Sequence, residues 1–524
     1  MSNKGNTFRK ATTFVNLLSW LRDPLTGKGP NLRIGGDSAD LSWWWNVTNA
    51  RDNQDKTCRC CASYNAKRCV SNNLTTSLIR TLQEDIAIPL NSTLVFDVSM
   101  LQNASANWAV QEIIGIFQAL SSSSSEPAFP KVLEGIEIGN EADMYDRGLR
   151  SPNYTVEDYL RELDMYMRTI FQNPTIQNWL QQHRPGEHPF QIVRAGGFAY
   201  KWEFLNRTAD MLQHYKQFLY SWSDHHYPTL ACNISGRPDP TIADLLSEAS
   251  SHAYATHIAP RVAFVTQPDT FNPDGVAFHL GETNSAACSG MLGVSNTMAS
   301  ALWALDYMFE LAQVGVSRVN FHGGDHAPYS WWWIDVETGV PKVQPLYYAM
   351  YVWSQYITNQ GPGTRIIPFP LSPSAQPGNC HSLKDGDPKG GCIKTWAVKD
   401  DNLNIRVVII NKLLNPTQKQ QKVKVTLSSC YQGGYVGFLG PTASANHKGL
   451  SSESIDFSGL TWEGSQHGER MGQYVPIPVL PVKAENGTCH YTVDVFHATA
   501  TIVSFQAKQL PPDFNIRAAN QEIL

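Results

Sequence analysis

The chain has no apolar run approaching the ~18–20 residues that a membrane-spanning helix needs. It has no excess of charge: Lys and Arg number 41 against 46 Asp and Glu, a net charge of −5. That argues against a dedicated nucleic-acid binder, whose affinity rests on a basic surface. No charged-then-apolar leader opens it. HExxH, a Walker loop, GxGxxG and GxSxG are all absent, which removes the chemistries built on those geometries. Cysteine is scarce, 10 in 524 residues, and four crowd together as Cys58, Cys60, Cys61 and Cys69. Their CxCC spacing is not a usual zinc pattern, so disulfides are expected there rather than a metal.

What is present points to a globular protein. Hydrophobic residues make up 42% and charged residues 17%, enough to build a packed core. Eight Asn-x-Ser/Thr sequons occur, at Asn46, Asn73, Asn91, Asn103, Asn153, Asn206, Asn233 and Asn486. Together with the cysteines they favour a secreted glycoprotein. The missing leader runs against this, and the expectation is a mature or N-terminally shortened chain.

Over residues 1–358, strand-like and helix-like segments alternate, which implies parallel sheet, open or closed into a barrel. Strands are expected near residues 33, 96, 136, 193, 223, 278 and 319, with the clearest helices at Val156–Phe171 and Asn296–Val314. Seven strands, not eight, suggest a (β/α)8 barrel whose first strand is missing. Gly361–Gly391 reads as a Pro/Gly/Ser-rich linker, and short β-branched segments follow, ending in Tyr491–Phe505. Residues 359–510 are therefore expected to form an antiparallel β-sandwich and residues 511–524 a loose tail.

A parallel barrel carries its active site at the carboxyl ends of its strands. The polar residues there are Arg33, Asp37–Asp40, Asp97, Asn140-Glu141, Asp224–Tyr227, Glu282–Asn284 and His322–Asp325. Glu141 and Glu282 each end an apolar strand directly, where a carboxylate faces the barrel mouth. Two carboxylates on one cleft suit glycoside hydrolysis, one as proton donor and one as nucleophile. Asn140, just before Glu141, is placed to hold a sugar hydroxyl, and Tyr227 to orient a carboxylate. His225 and His226 are adjacent on a strand and point to opposite faces, so one is expected in the site and one outside. Trp43–Trp45 and Trp331–Trp333 are read either as sugar platforms or as core and loop packing.

Four stretches, LRIGGDSAD (Leu32–Asp40), GIEIGNEADMY (Gly135–Tyr145), DHHYP (Asp224–Pro228) and HLGETNSA (His279–Ala286), resemble glycoside hydrolase family 79, the β-glucuronidase and heparanase family. The end HYTVDVFHATATIVSF (His490–Phe505) is similar to that family's sandwich domain. The resemblance implies a retaining exo-β-glucuronidase that needs no cofactor or metal, acting on terminal glucuronate or its 4-O-methyl form. It implies Glu141 as acid/base, Glu282 as nucleophile, Asn140 near the 2-hydroxyl, Tyr227 supporting the nucleophile, Asp40 holding sugar hydroxyls and Tyr329 contacting the glucuronate carboxylate. The turn Cys288-Ser289-Gly290 departs from the family's glycine-rich turn, and the insertion Asn49–Val70 has no counterpart. An endo-acting, heparanase-like enzyme, an inactive carbohydrate-binding relative and an exo-glycosidase for a neutral sugar are the competing readings. The absence of a dense Lys/Arg run favours exo over endo action.

Overall fold

The computed structural model describes residues 2–44, 72–102, 104–121, 132–184, 190–233, 236–324, 326–358, 364–368, 393–414, 420–427, 430–483 and 488–506. Several expectations fall outside these residues: the cluster Cys58, Cys60, Cys61 and Cys69 with its insertion, Trp45, Asp325, most of the linker and the tail.

Seven parallel strands form one sheet in chain order: β1 (Leu32–Ile34), β2 (Leu94–Val98), β3 (Leu133–Ile138), β4 (Val193–Phe198), β5 (Leu219–His226), β6 (Ala277–Thr283) and β7 (Arg318–Phe321). All seven expected positions carry a strand. Every residue of Leu94–Val98 is buried, as expected where both faces of a parallel strand are covered. The helices α1 (Ser2–Ser19), α2 (Asn107–Ser121), α3 (Val156–Phe171), α4 (Pro174–His183), α5 (His252–Val265), α6 (Met298–Gln313) and α7 (Pro345–Val352) accompany the sheet. Local chemistry fixes where they begin. Thr155 and Asp158 form a reciprocal capping box at the start of α3, satisfying two backbone donors that the first turn leaves open.

The sheet curls into a nearly closed barrel. Among the described residues no strand pairs β7 with β1. Side chains bridge the seam instead: Asn320 Nδ2, on β7, donates to Asn31 O at 3.4 Å and to its Oδ1 at 3.3 Å.

The C-terminal region is the antiparallel sandwich. One sheet runs β8 (Arg365–Pro368), β9 (Ile393–Lys399), β10 (Ile405–Asn411), then β14 (Ala500–Phe505) and β12 (Gly434–Pro441), with short strands beyond. It packs on a three-stranded sheet built around β11 (Gln420–Leu427) and β13 (Cys489–Phe496). Val407, Ile409, Val423, Val425, Val493 and Val503 lie in the core that this region buries. Tyr491–Phe505, expected as one strand, is two: the chain turns at Ala498, with φ 56°, and passes from one sheet to the other.

Helix α6 explains why its sequence carries little amphipathic contrast. Met298–Leu311 is buried throughout, and the side chains it shares with the sandwich are charged as well as apolar. Asp306 Oδ2 accepts from Lys412 Nζ at 2.7 Å and Ser251 Oγ at 2.9 Å, and Lys394 Nζ lies 3.5 Å away. Glu248 joins both lysines, at 2.8 and 3.1 Å, and Glu310 pairs with Lys394. Asp306 is 0% exposed, and Lys394 and Lys412 are each 1% exposed. Burial opposes the Asp306 charge, but Lys394 and Lys412 outweigh it and hold the carboxyl far below its usual range.

Asp306→Ala leaves two buried ammonium groups short of a partner. It is expected to cost about 3–5 kcal/mol of stability in denaturant unfolding at pH 7. Because the folded-state pKa is depressed, the wild-type contribution is full above the unfolded carboxyl value of roughly 4 and fades as pH falls below it. A loss under about 1 kcal/mol would contradict the account.

Candidate active site

A bulge aims Glu282, and a left-handed backbone turn aims Glu141. Between β5 and β6 the register shifts, so that Asp224 pairs with Leu280 but His225 with Glu282. The extra residue is Gly281, where a Cβ would meet Ser223 Oγ at 2.0 Å and force that hydroxyl to move. Glu141 sits just past β3 in the left-handed region, φ 47°, with its N–H donating to Gly197 O at 2.9 Å. A non-glycine residue held there stores strain that the surroundings must impose. A carboxylate oxygen of Glu141, one of Glu282 and a ring nitrogen of His225 lie within 4.8 Å of one another.

The two carboxylates have different surroundings. Tyr227 donates to Glu282 Oε1 at 2.7 Å, His322 Nδ1 lies 2.8 Å from the same oxygen, and Arg33 Nη1 donates to Oε2 at 2.8 Å. Burial opposes the Glu282 charge, yet His322, His225 and Arg33 hold the carboxyl well below its usual range. The Glu141 carboxylate meets the His225 ring, whose Nδ1 lies 3.1 Å from Oε1. Burial pushes the Glu141 carboxyl up; the His225 contact opposes this, and the Glu282 charge adds to it. One group thus favours the ionised form and the other the protonated form.

Around the pair the remaining expected residues take distinct places. Asn140 Oδ1 accepts from Arg33 Nη2 at 2.9 Å, and its Nδ2 donates to the exposed Asp37 at 3.1 Å. Tyr329 is 6% exposed, its ring 5.8 Å from that of His322, and burial and the Glu282 charge push its phenol up to about 12. Asp40 lies behind the site rather than in it. It is 1% exposed, and its carboxylate accepts from Met100 N, Asn140 N and Tyr145 OH at 3.1, 3.2 and 2.9 Å. Burial raises it to about 6. It fixes Asn140 and offers no face to a sugar.

His226 lies on the other side of β5, stacked on Tyr254 at 3.6 Å between ring centroids and bonded to Tyr307 OH. Trp44 is packing: a Cβ on Gly115 would meet its ring at 2.1 Å. Trp331–Trp333 are half-buried and line, with Phe14, a cleft of about 460 Å³ beside Gly323.

Sequence reasoning gave no role to Arg33, Glu137 or His322. Arg33 and His322 stand at strand ends among the polar residues, but nothing in the spacing says that they meet Glu282. Gly36 carried a readable signal in its Gly-Gly pair: at φ 93°, a Cβ there would lie 3.6 Å from Glu282 Oε2. Beside the site, Cys288 is joined to Cys232. Cys288, Ser289 and Gly290 have φ of 60°, 70° and 82°, and Ser289 O accepts from Tyr329 N at 3.4 Å.

Two groups among the described residues are spaced to hold a metal ion, Glu141-His225-Glu282 and Glu248-His252-Glu310. Neither fits one well. The first already has the Arg33 guanidinium on Glu282, and the second has Lys394 and Lys412 on its carboxylates.

No family model matches the chain. It is similar to the β-glucuronidase of Aspergillus niger, 23% identical over 495 residues that cover 88% of this chain and 79% of that protein. A β-glucuronidase of Neurospora crassa is 23% identical over 347 residues, 63% of this chain and 56% of that one. In fold it is similar to a 4-O-α-L-rhamnosyl-β-D-glucuronidase from Fusarium oxysporum, with TM-score 0.64, 18% identity and 93% and 91% of the two chains covered. An arabinofuranosidase from Xanthomonas axonopodis pv. citri gives 0.55 at 13% identity, covering 94% and 88%. The fold is shared: a parallel barrel followed by a β-sandwich.

Proposed function

We propose that the chain is a retaining β-glucuronidase of glycoside hydrolase family 79 that releases terminal glucuronate. The observation that carries this is the close pair Glu141 and Glu282, within 4.8 Å by their nearest oxygens, with oppositely shifted carboxyls. Retaining enzymes hold their carboxyl groups ~5–5.5 Å apart, and inverting enzymes leave room for a water at ~6.5–9.5 Å. The names of the similar proteins support a glucuronide as substrate.

In this reading ionised Glu282 attacks the anomeric carbon. Its bond to the leaving oxygen breaks as Glu141 passes a proton to that oxygen. Forming the ester removes the Glu282 charge that helps keep Glu141 protonated. Glu141, now a carboxylate, takes a proton from water, whose oxygen attacks the same carbon and frees Glu282. Tyr227 and Arg33 hold one nucleophile oxygen each. Asn140 and Asp37 face the sugar hydroxyls, and Tyr329 with the clamped turn Cys288–Gly290 faces the glucuronate carboxylate.

Export as a glycoprotein goes with this reading. The asparagines of the five described sequons, Asn73, Asn91, Asn153, Asn206 and Asn233, are all exposed. Disulfides join Cys232 to Cys288 and Cys430 to Cys489. No described helix is long and apolar enough to cross a membrane.

The test is hydrolysis of an aryl β-glucuronide against the matching aryl β-glucoside near pH 5, with the first-formed anomer followed by proton NMR. The expected result is preferential turnover of the glucuronide, with β-glucuronate appearing first. Faster glucoside turnover would overturn the substrate, and α-glucuronate first would overturn the mechanism.

A further inference from the structure

The reaction leaves one buried carboxylate at the centre of the site without a part in it. Glu137, on β3, is 1% exposed. Its Oε1 accepts from Arg33 Nη2 at 2.7 Å and faces His225 Nε2 at 3.8 Å. Its Oε2 accepts from Arg33 Nε at 3.2 Å and lies 3.6 Å from Arg194 Nη1. Two of these three partners, Arg33 and His225, each touch a reacting carboxylate on the other side. Arg33 donates to Glu282 at 2.8 Å, and His225 meets Glu141 at 3.1 Å. A continuous line of charges, Glu282–Arg33–Glu137–His225–Glu141, joins nucleophile to acid through the barrel interior.

We propose that Glu137 is a positioning residue for glycoside hydrolysis, holding Arg33 and the His225 ring together and so fixing both reacting carboxylates at once. The proposal rests on the glycosidase reading above. A carboxylate that merely filled the core would have no reason to meet both cations.

The groups that face this line come from every strand around it. They are Arg33 on β1, Asp97 on β2, Arg194 on β4, Asp224 and His225 on β5, Tyr227 just after β5, Glu282 on β6 and His322 just after β7, with Tyr159 from α3. Burial and the Glu137 charge push the Asp97 carboxyl up, and its Oδ2 lies 3.4 Å from Arg33 Nη2. Burial opposes a charge on His225, and the facing Glu137 and Glu141 outweigh it, raising the imidazole to about 10. His225 is therefore charged across the working range while Glu137 is ionised. With Glu137 neutralised, His225 is the cation able to release its proton.

The test compares wild type, Glu137→Gln and Glu137→Asp, with aryl β-glucuronide kinetics from pH 4 to 9 and ring 15N NMR of histidine-labelled protein. For Glu137→Gln, kcat/KM is expected to fall about 100-fold. Its pH profile gains an ionisation absent from wild type, and the His225 signals titrate below pH 8. Glu137→Asp restores the wild-type profile shape at a reduced rate. A Glu137→Gln profile of unchanged shape, with His225 still charged at pH 8, would overturn the proposal whatever the fall in rate. Wild type that hydrolyses no glucuronide would overturn the glycosidase reading itself, and the positioning role with it.

Discussion

Glu282→Ala is expected to lower glucuronide turnover on the order of 10⁴-fold or more, with cooperative unfolding preserved. The loss follows from the proposed mechanism: there the side chain forms the covalent bond, and among the described residues no other carboxylate is placed to take over. Asp97 and Glu137 are both buried beneath Arg33. Azide, small enough to enter the space left by the carboxylate, restores turnover and yields the α-glucuronyl azide. A variant that keeps a tenth of wild-type activity would remove Glu282 from the reaction.

Glu141→Ala is expected to fail differently, which separates the roles of two similar residues. Loss of the proton donor costs about 10²–10⁴-fold on substrates with poor leaving groups. An aryl glucuronide whose phenol leaves unaided loses far less in its first step, so the glycosyl-enzyme accumulates and a burst of phenol appears. Azide then gives the β-glucuronyl azide. The pH profile of kcat/KM gives the second signature. In wild type it rises as Glu282 ionises, below the ordinary carboxyl range, and falls as the raised Glu141 loses its proton. In Glu141→Ala the alkaline fall disappears and the acid rise remains. An alkaline limb that survives the substitution would assign it to another group.

The seven strands were legible because each parallel strand is buried on both faces and its sequence is a short apolar block between polar stretches. Glu141 and Glu282 were legible as positions because a carboxylate directly after such a block has one place to go. Their neighbours were not. Arg33 meets Glu282 across 249 positions and Glu137 across 104, and a side chain's partner across a barrel leaves no trace in local spacing. Asp40 shows the opposite failure. Its motif sits at the right strand end, but sequence does not say which way a loop side chain turns, and Asp40 turns inward onto Met100 and Tyr145. The break at Ala498 escaped for a similar reason: the apolar alternation continues across it, although the chain changes sheets.

The Cys232–Cys288 bond ties the loop after β5 to the loop after β6. The barrel core needs nothing from it, since the strands and their packing lie below. The turn it anchors at Cys288 abuts Tyr329 and runs through three left-handed residues. A chain made under reducing conditions is therefore expected to keep its barrel while the turn beside Tyr329 loses its anchor, so that oxidation of Cys232 and Cys288 raises glucuronide turnover.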